Sequence, residues 1–250
     1  MMIRGFLYYG VCLQALLLGN SFKVTGKRAK EKLIEMKKTL VILVKYLSNL
    51  GLRRILCMFA GNTLLGIGIA FYRHAALGND PFSAMTLSLS MRTPLNYGTF
   101  LLLFNLFLFS FQFFFGKKYI GIGTLVNWTL VGYVADFCMY LDTHYITLSD
   151  TYPVRLIVLL SAILISAMGV SLYQTSASGI SPYDYLSLGL SEQAHLPYLF
   201  CRIACDGTAV IIALIVGGLV GIGTFLTVLM LGPSIQFFTR NVSKKLLKQV

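Results

Sequence analysis

Acidic residues are scarce in this chain. Only nine Asp and Glu occur in 250 residues, and charged residues of both signs make up 12% of the sequence. A soluble domain usually carries about twice that charged fraction. Hydrophobic residues make up 56% instead, and the mean hydropathy is +0.75. This balance argues against an ordinary soluble protein.

The sequence also lacks the signatures of common catalytic sites. It contains no HExxH zinc motif, no GxSxG nucleophile motif and no Walker A phosphate loop. Its five cysteines show no CxxC or metal-ligand spacing. We therefore predict that the protein is not an enzyme and that it has no catalytic residues, no metal site and no cofactor.

Apolar runs of about 20 residues recur, and this length crosses the hydrocarbon core of a bilayer. The runs cover residues 55–72, 97–115, 120–141, 154–173, 197–216 and 219–239. They lack the alternating polarity of a membrane β-barrel. They predict an all-α integral membrane protein with six spans, whose largest partner is the lipid bilayer.

Positive charge is concentrated near the N-terminus. Residues 20–54 contain ten Lys or Arg against two Glu. Beside membrane spans, such a stretch is typical of the cytoplasmic side, so we expect no nucleic-acid partner. An amphipathic stretch around residues 40–47 predicts an interfacial helix within a basic extension at 1–54. Met36 resembles a natural bacterial start, so we expect residues 1–35 to be an upstream extension or a poorly ordered tail.

Two short stretches interrupt the apolar pattern in the same way. ALGNDPFSAM, residues 76–85, and ASGISPYDYL, residues 177–186, have Gly and Pro at the same two places, 101 residues apart. GIGT at 121–124 then matches GIGT at 221–224. Matches that keep register over about 65 residues indicate an internal duplication.

The duplication predicts two membrane repeats, residues 55–142 and 154–240, followed by a basic cytoplasmic tail at 241–250. Each repeat has three spans and one short helix after its Gly-x-x-Pro break, at residues 81–91 and 182–193. Eleven helical residues reach only about 16 Å, so these helices are too short to cross. We expect them to be re-entrant half-helices, which makes the two repeats inverted.

The distribution of charge in the loops supports this topology. With re-entrant short helices, Lys117 and Lys118 fall on the same side as the basic N-terminus, and the loop with Asp142 and Asp150 falls on the other side. Cytoplasmic loops are enriched in Lys and Arg. We predict a multi-pass protein of the bacterial cytoplasmic (inner) membrane with both termini in the cytoplasm.

Each break is expected to start a helix. Asp80 and Ser181 are good N-caps, and the prolines that follow them suit the first helical position. We expect the GIGT glycines to allow close helix packing and the two threonines to bond back to carbonyls of their own helices. The residues assigned a structural role are Gly78, Pro81, Gly179, Pro182, Gly121, Gly123, Thr124, Gly221, Gly223 and Thr224.

Broken helices in inverted repeats commonly form the central site of a transporter. Carboxylates in the first helical turn partly offset the helix dipole, which leaves room for a cation, a proton or a zwitterion. Charged residues within a span, four positions apart, are expected to pair. The candidate substrate-binding residues are Asp80, Asp184, Ser181, Asn105, Arg202 and Asp206. The alternative is that the breaks are helix caps that contact water at the membrane interface and bind no ligand, and that the Arg202–Asp206 pair only stabilises the helix bundle.

The motifs carry a family resemblance. GNDPFSAM, NYGTFLLLFNLFLF and GIGTLVNWTLVGYVADF closely resemble the first half of the YczE/YyaS/YitT family of bacterial integral membrane proteins, in particular its YczE branch. GISPYDYLSLGLS and GLVGIGTFLTVLMLGPSIQFF resemble the second half. The resemblance covers residues 55–240 and implies a multi-span inner-membrane protein, without implying a chemistry. The first break departs from the pattern, with Asp80 where Gly is common and Ser83 where Asp is common, whereas Asp184 keeps that acid.

Two functions are consistent with these observations. The first is a small-molecule transporter or permease-like protein with a central polar cavity between inverted repeats and an unknown small solute as its substrate. The second is a non-transporting accessory or regulatory membrane protein, whose partner is another membrane protein or an enzyme that it supports.

Overall fold

The computed structural model describes residues 50–95, 97–145, 151–218 and 220–247. All long elements in these ranges are helices, which confirms the all-α prediction. We number them α1 to α8: Leu52–Ala75, Pro81–Ser90, Tyr97–Phe115, Ile122–Tyr145, Tyr152–Thr175, Pro182–Ala194, Tyr198–Ile215 and Ile222–Phe238. A π-helical turn, Thr239–Ser243, continues α8. The predictions for residues 1–49 lie outside the described residues.

Five helices are long and apolar enough to cross a membrane. They are α1, α4, α5, α7 and α8 with its continuation. The apolar part of α3 that meets the same test of composition, Thr99–Phe115, is shorter, so the sixth span stays a prediction. Large apolar side chains on the helices face outward, among them Ile215 at 79% exposure and Phe107 at 69%. Such surfaces contact lipid in a membrane protein.

Helices α1 and α5 pack at backbone contact. A Cβ atom on Gly61 would lie 2.7 Å from the carbonyl oxygen of Gly169, and one on Gly68 would overlap the Ser166 hydroxyl. Small residues allow such close approach between membrane helices. The α1–α5 pair therefore forms the centre of the bundle, and the break that follows each helix starts from this centre.

Both breaks start helices as the sequence predicts. The Asp80 carboxylate accepts a hydrogen bond from the Ser83 amide at 3.0 Å, and the Ser181 hydroxyl accepts one from the Asp184 amide at 3.1 Å. A proline occupies the first turn in each case. Gly78 and Gly179 have φ angles of 126° and 124°, a region that favours glycine.

Each break is held by the GIGT motif of the other repeat. The Gly123 amide donates to the Ser178 carbonyl, and the Gly223 amide donates to the Leu77 carbonyl, both at 2.8 Å. A Cβ on Gly221 would overlap the Leu77 carbonyl oxygen, so these glycines permit close packing as predicted. Their partner is the extended break rather than a helix.

The prediction for the two GIGT threonines is wrong. The Thr124 hydroxyl donates to the Ile180 carbonyl at 2.9 Å, and the Thr224 hydroxyl donates to the Asn79 carbonyl at 2.8 Å. Both bonds cross from one repeat to the other. The extended breaks have carbonyl groups that no helix ladder satisfies, and a buried carbonyl requires a donor. The threonine hydroxyls therefore donate to carbonyls of the breaks instead of to carbonyls of their own helices.

The neighbourhoods of the two breaks lie at opposite ends of α4. Gly123, in its first turn, contacts the second break. Near its other end, Asp142 Oδ2 lies 2.6 Å from Nδ1 of His74, at the end of α1 just before the first break. Nineteen residues separate Gly123 from Asp142, which corresponds to about 28 Å along a helix.

Candidate functional site

The Arg202 side chain joins two helices, α6 and α7, in the interior of the bundle. Its Nε donates to Asp206 at 2.9 Å within α7, which confirms the predicted pair. Its Nη1 also forms an ion pair with Asp184 in the first turn of α6. The Tyr183 hydroxyl donates to the other oxygen of Asp206 at 2.7 Å, and the Tyr183 ring lies 5.5 Å from the guanidinium. We call these residues, with Tyr173 and Ser181, the Arg202 network.

The second carboxylate of the network has additional donors. The Ser181 hydroxyl donates to Asp184 at 2.8 Å, and the Tyr173 hydroxyl, from α5, donates to the same oxygen. The charged side chains are almost fully shielded, with exposures of 6% for Arg202, 7% for Asp184 and 0% for Asp206. Buried charges require partners of this kind, because removal from water is costly.

The two broken helices meet beside this network. Phe82, in the first turn of α2, stacks at an angle on Tyr183, in the first turn of α6, with ring centroids 4.5 Å apart. These two residues occupy matched positions in the repeats. The N-terminal ends of the two short helices therefore approach each other in the interior of the bundle.

A pocket of about 300 Å³ lies at the first break. Asp80 is partly exposed to it, together with Asn79, Ser83 and Leu87 from the break and α2, and Ile69 and Arg73 from α1. We call it the Asp80 pocket. At the second break, the Gln112 and Thr124 side chains and the Tyr119 backbone close around the Ile180 peptide group.

The Arg202 network belongs to the second repeat alone. The positions matched to Asp184, Arg202 and Tyr183 hold Ser83, Leu101 and Phe82. Asn105, the counterpart of Asp206, is half-buried in α3, and none of the hydrogen bonds found among the described residues joins it to the network. The structure therefore brings together four of the six candidate residues, places Asp80 in the adjacent pocket and leaves Asn105 apart.

Three side chains of the candidate site were not predicted from the sequence. Tyr173 and Tyr183 were overlooked because tyrosine in an apolar chain reads as packing or as an interfacial anchor. Arg73 was overlooked because it lies at the end of a span, where a basic residue is ordinary. The Tyr72–Tyr173 match between the repeats was the available signal for Tyr173.

The class of the protein follows from the spans, the exposed apolar surface and the buried ionic network: it is a multi-span α-helical membrane protein. Residues 52–240 match a family of unknown function, DUF6198, and the chain belongs to this family. The resemblance to YczE and YyaS proteins noted from the motifs is thereby confirmed, because relatives with those names are also found.

The relatives come from two bacteria. An uncharacterized membrane protein of Bacillus subtilis (strain 168), YczE, is 27% identical over 180 residues, which is 72% of this chain and 82% of that protein. An uncharacterized protein of Haemophilus influenzae (Rd) is 26% identical over 184 residues, covering 73% and 81%. YyaS of Bacillus subtilis is 24% identical over 189 residues, covering 76% and 94%. No solved structure matches the chain.

Proposed function

We propose that this protein is a small-solute permease whose binding site lies where the two broken helices meet. The observation that carries the proposal is the Arg202 network, an ionic cluster shielded from water in the interior of a membrane protein. Charged residues within membrane spans are costly and are typical of substrate and ion pathways. Broken helices that meet in the interior are typical of transporter sites.

The proposal includes an inverted arrangement of the two repeats. The contacts of α4 with the second break and with the end of α1, just before the first break, lie about 28 Å apart along α4, close to the thickness of the hydrocarbon core. The two short helices also contact opposite ends of α7. Arg202, near the start of α7, forms an ion pair with Asp184 of α6. Arg92, just after α2, donates a 2.9 Å hydrogen bond to the carbonyl of Val216, at the end of α7. Short helices at opposite ends of the bundle fit two re-entrant segments that enter from opposite sides.

The proposed orientation places the second break toward the cytoplasm. Lys118 forms a 2.7 Å ion pair with Glu192 at the end of α6, so the basic α3–α4 loop lies beside that helix. The Lys118 ammonium and the Tyr119 hydroxyl lower the pKa of Glu192 below its usual value by hydrogen bonding to it. Basic loops favour the cytoplasmic side of the bacterial inner membrane. The Asp80 pocket then opens toward the outside.

The charges of the network favour a coupled site. One guanidinium faces two carboxylates, so the fully ionised cluster has an excess negative charge. An excess charge in a low-dielectric interior is unfavourable. A proton, a cation or a positively charged group of the solute can neutralise it. Binding of such a group to one carboxylate would weaken the ion pair of that carboxylate with Arg202. Because Asp184 lies in α6, binding of the solute would then be coupled to the position of α6.

One observation favours the second candidate function, an accessory protein. Every carboxylate of the Arg202 network has protein donors, so the network is also consistent with a lock that only stabilises the bundle. An accessory protein would have no solute that changes its stability.

Thermal unfolding of the purified protein in detergent tests the proposal. A solute that binds the folded state must raise its midpoint of unfolding. In a panel of organic cations, anions, zwitterions and sugars, we expect at least one class to stabilise the wild type, and D184N to lose at least about tenfold in apparent affinity. P182A, which alters the same helix start without changing charge, is the matched control and should respond as the wild type does. Stabilisation by no class would favour the accessory function.

A further inference from the structure

The Asp80 pocket contains side chains of both charge signs. Asp80 and Ser83 lie on the side of α2, Arg73 lies on the side of α1, and two aliphatic side chains also line the pocket. Its volume, about 300 Å³, is at the lower end of the range for ligand pockets. A pocket of this size accommodates a small solute.

The Asp80 carboxylate has a hydrogen-bond donor but no ion pair among the residues that the structure describes. The donor is the Ser83 amide. Asp184 and Asp206, in contrast, both pair with Arg202. A partly buried carboxylate without a counter-charge attracts a cationic group of a ligand.

The Arg73 guanidinium has more hydrogen-bond donors than its ion pair with Asp136 uses. Its Nη1 lies 3.0 Å from an Asp136 oxygen, but the two side chains are 42% and 73% exposed. Exposed pairs of this kind contribute little to stability. A guanidinium has five N–H donors, and its planar fork suits a carboxylate. Arg73 can therefore bind the carboxylate of a ligand, whether or not its ion pair with Asp136 is retained.

We infer that the Asp80 pocket binds a small zwitterion of the α-amino acid class, with its ammonium group at Asp80 and its carboxylate at Arg73. This inference rests on the proposed function and names the substrate class. A zwitterion can pair with both Asp80 and Arg73, whereas a simple cation or a simple anion can pair with only one of them. Ile69 and Leu87 give the side chain of the ligand an apolar surface.

The test uses the purified full chain and three matched kinds of probe. L-alanine and L-leucine carry both charges, ethylamine and isoamylamine lack the carboxylate, and propionate and 4-methylpentanoate lack the ammonium. We expect the amino acids to raise the midpoint of unfolding and the single-charge analogues to bind at least about tenfold more weakly. D80N and R73Q should each weaken amino-acid binding by at least about tenfold. D136N removes a carboxylate beside the pocket and should leave binding as tight as in the wild type or tighter.

The outcomes separate this inference from the proposed function. Equal stabilisation by an amine and its parent amino acid, or undiminished amino-acid binding in D80N, overturns the inference. If another solute class stabilises the protein and amino acids do not, the inference is overturned and the permease proposal stands. Failure of every class to stabilise the folded wild type overturns both. If D80N does not fold, D80S supplies the same test, because serine is also a good N-cap.

Discussion

Removal of Arg202 should destabilise the protein more than any other single change in its network. R202L would leave Asp184 and Asp206 without a counter-charge, although the first keeps the Ser181 hydroxyl at 2.8 Å and the second keeps the Tyr183 hydroxyl at 2.7 Å. Breaking a buried ion pair typically costs about 3–5 kcal/mol. D206L leaves Arg202 paired with Asp184, so its cost should be closer to the roughly 1.5–3 kcal/mol of a charged hydrogen bond.

The double variant R202L/D206L should cost less than the two single variants together, because each single change leaves a charge that the other removes. We expect a coupling of about 1–3 kcal/mol. Thermal unfolding in detergent measures it, since about 1 kcal/mol shifts the midpoint by roughly 2–4 °C in a chain of this size. R202L should therefore lower the midpoint by on the order of 10 °C. R92L, which removes an exposed arginine, is the matched control. Strict additivity, or an R202L no less stable than R92L, would show that Arg202 is not the buried counter-charge of these carboxylates.

Two further predictions concern packing and topology. G221A should destabilise the protein by more than about 2 kcal/mol, because its methyl group would overlap the Leu77 carbonyl. G132A is the control and should be nearly neutral, because a Cβ at that position meets nothing within 4 Å. Equal midpoints of unfolding for the two variants would contradict the packing of Gly221 against the first break. Single cysteines at Lys118 and Asp150, in a background without native cysteines, should react with a membrane-impermeant reagent from opposite sides of the membrane, and reaction of both from the same side would rule out the inverted repeats.

The sequence predicted those parts of the site that follow from local rules. A cap followed by proline places the helix starts at Asp80 and Ser181, and a spacing of four places Arg202 beside Asp206. It did not predict that Asp184 would complete the ion pair of Arg202, or that Phe82 would contact Tyr183. These contacts join residues that are 18 and 101 positions apart, and their distances depend on how the helices pack.

The GIGT motif shows the same limit. Its glycines indicated a close approach without identifying the partner, because small residues permit contact with any backbone. The local rule for Thr124 and Thr224 failed, since the partner proved to be an extended segment with free carbonyl groups. An internal repeat with an offset of about 100 residues does indicate that contacts come in matched pairs, but it does not indicate whether they form within or between the repeats.

Solute flux in proteoliposomes measures whether the protein acts as a permease. Vesicles that contain the wild type, D184N or P182A would be preloaded with the unlabelled solute that stabilises the purified protein most, and uptake of the labelled solute would be followed by counterflow. We expect uptake well above that of protein-free vesicles for the wild type and P182A, and uptake at least about tenfold slower for D184N. Wild-type uptake equal to that of protein-free vesicles would contradict the claim that the two broken helices form a permeation site.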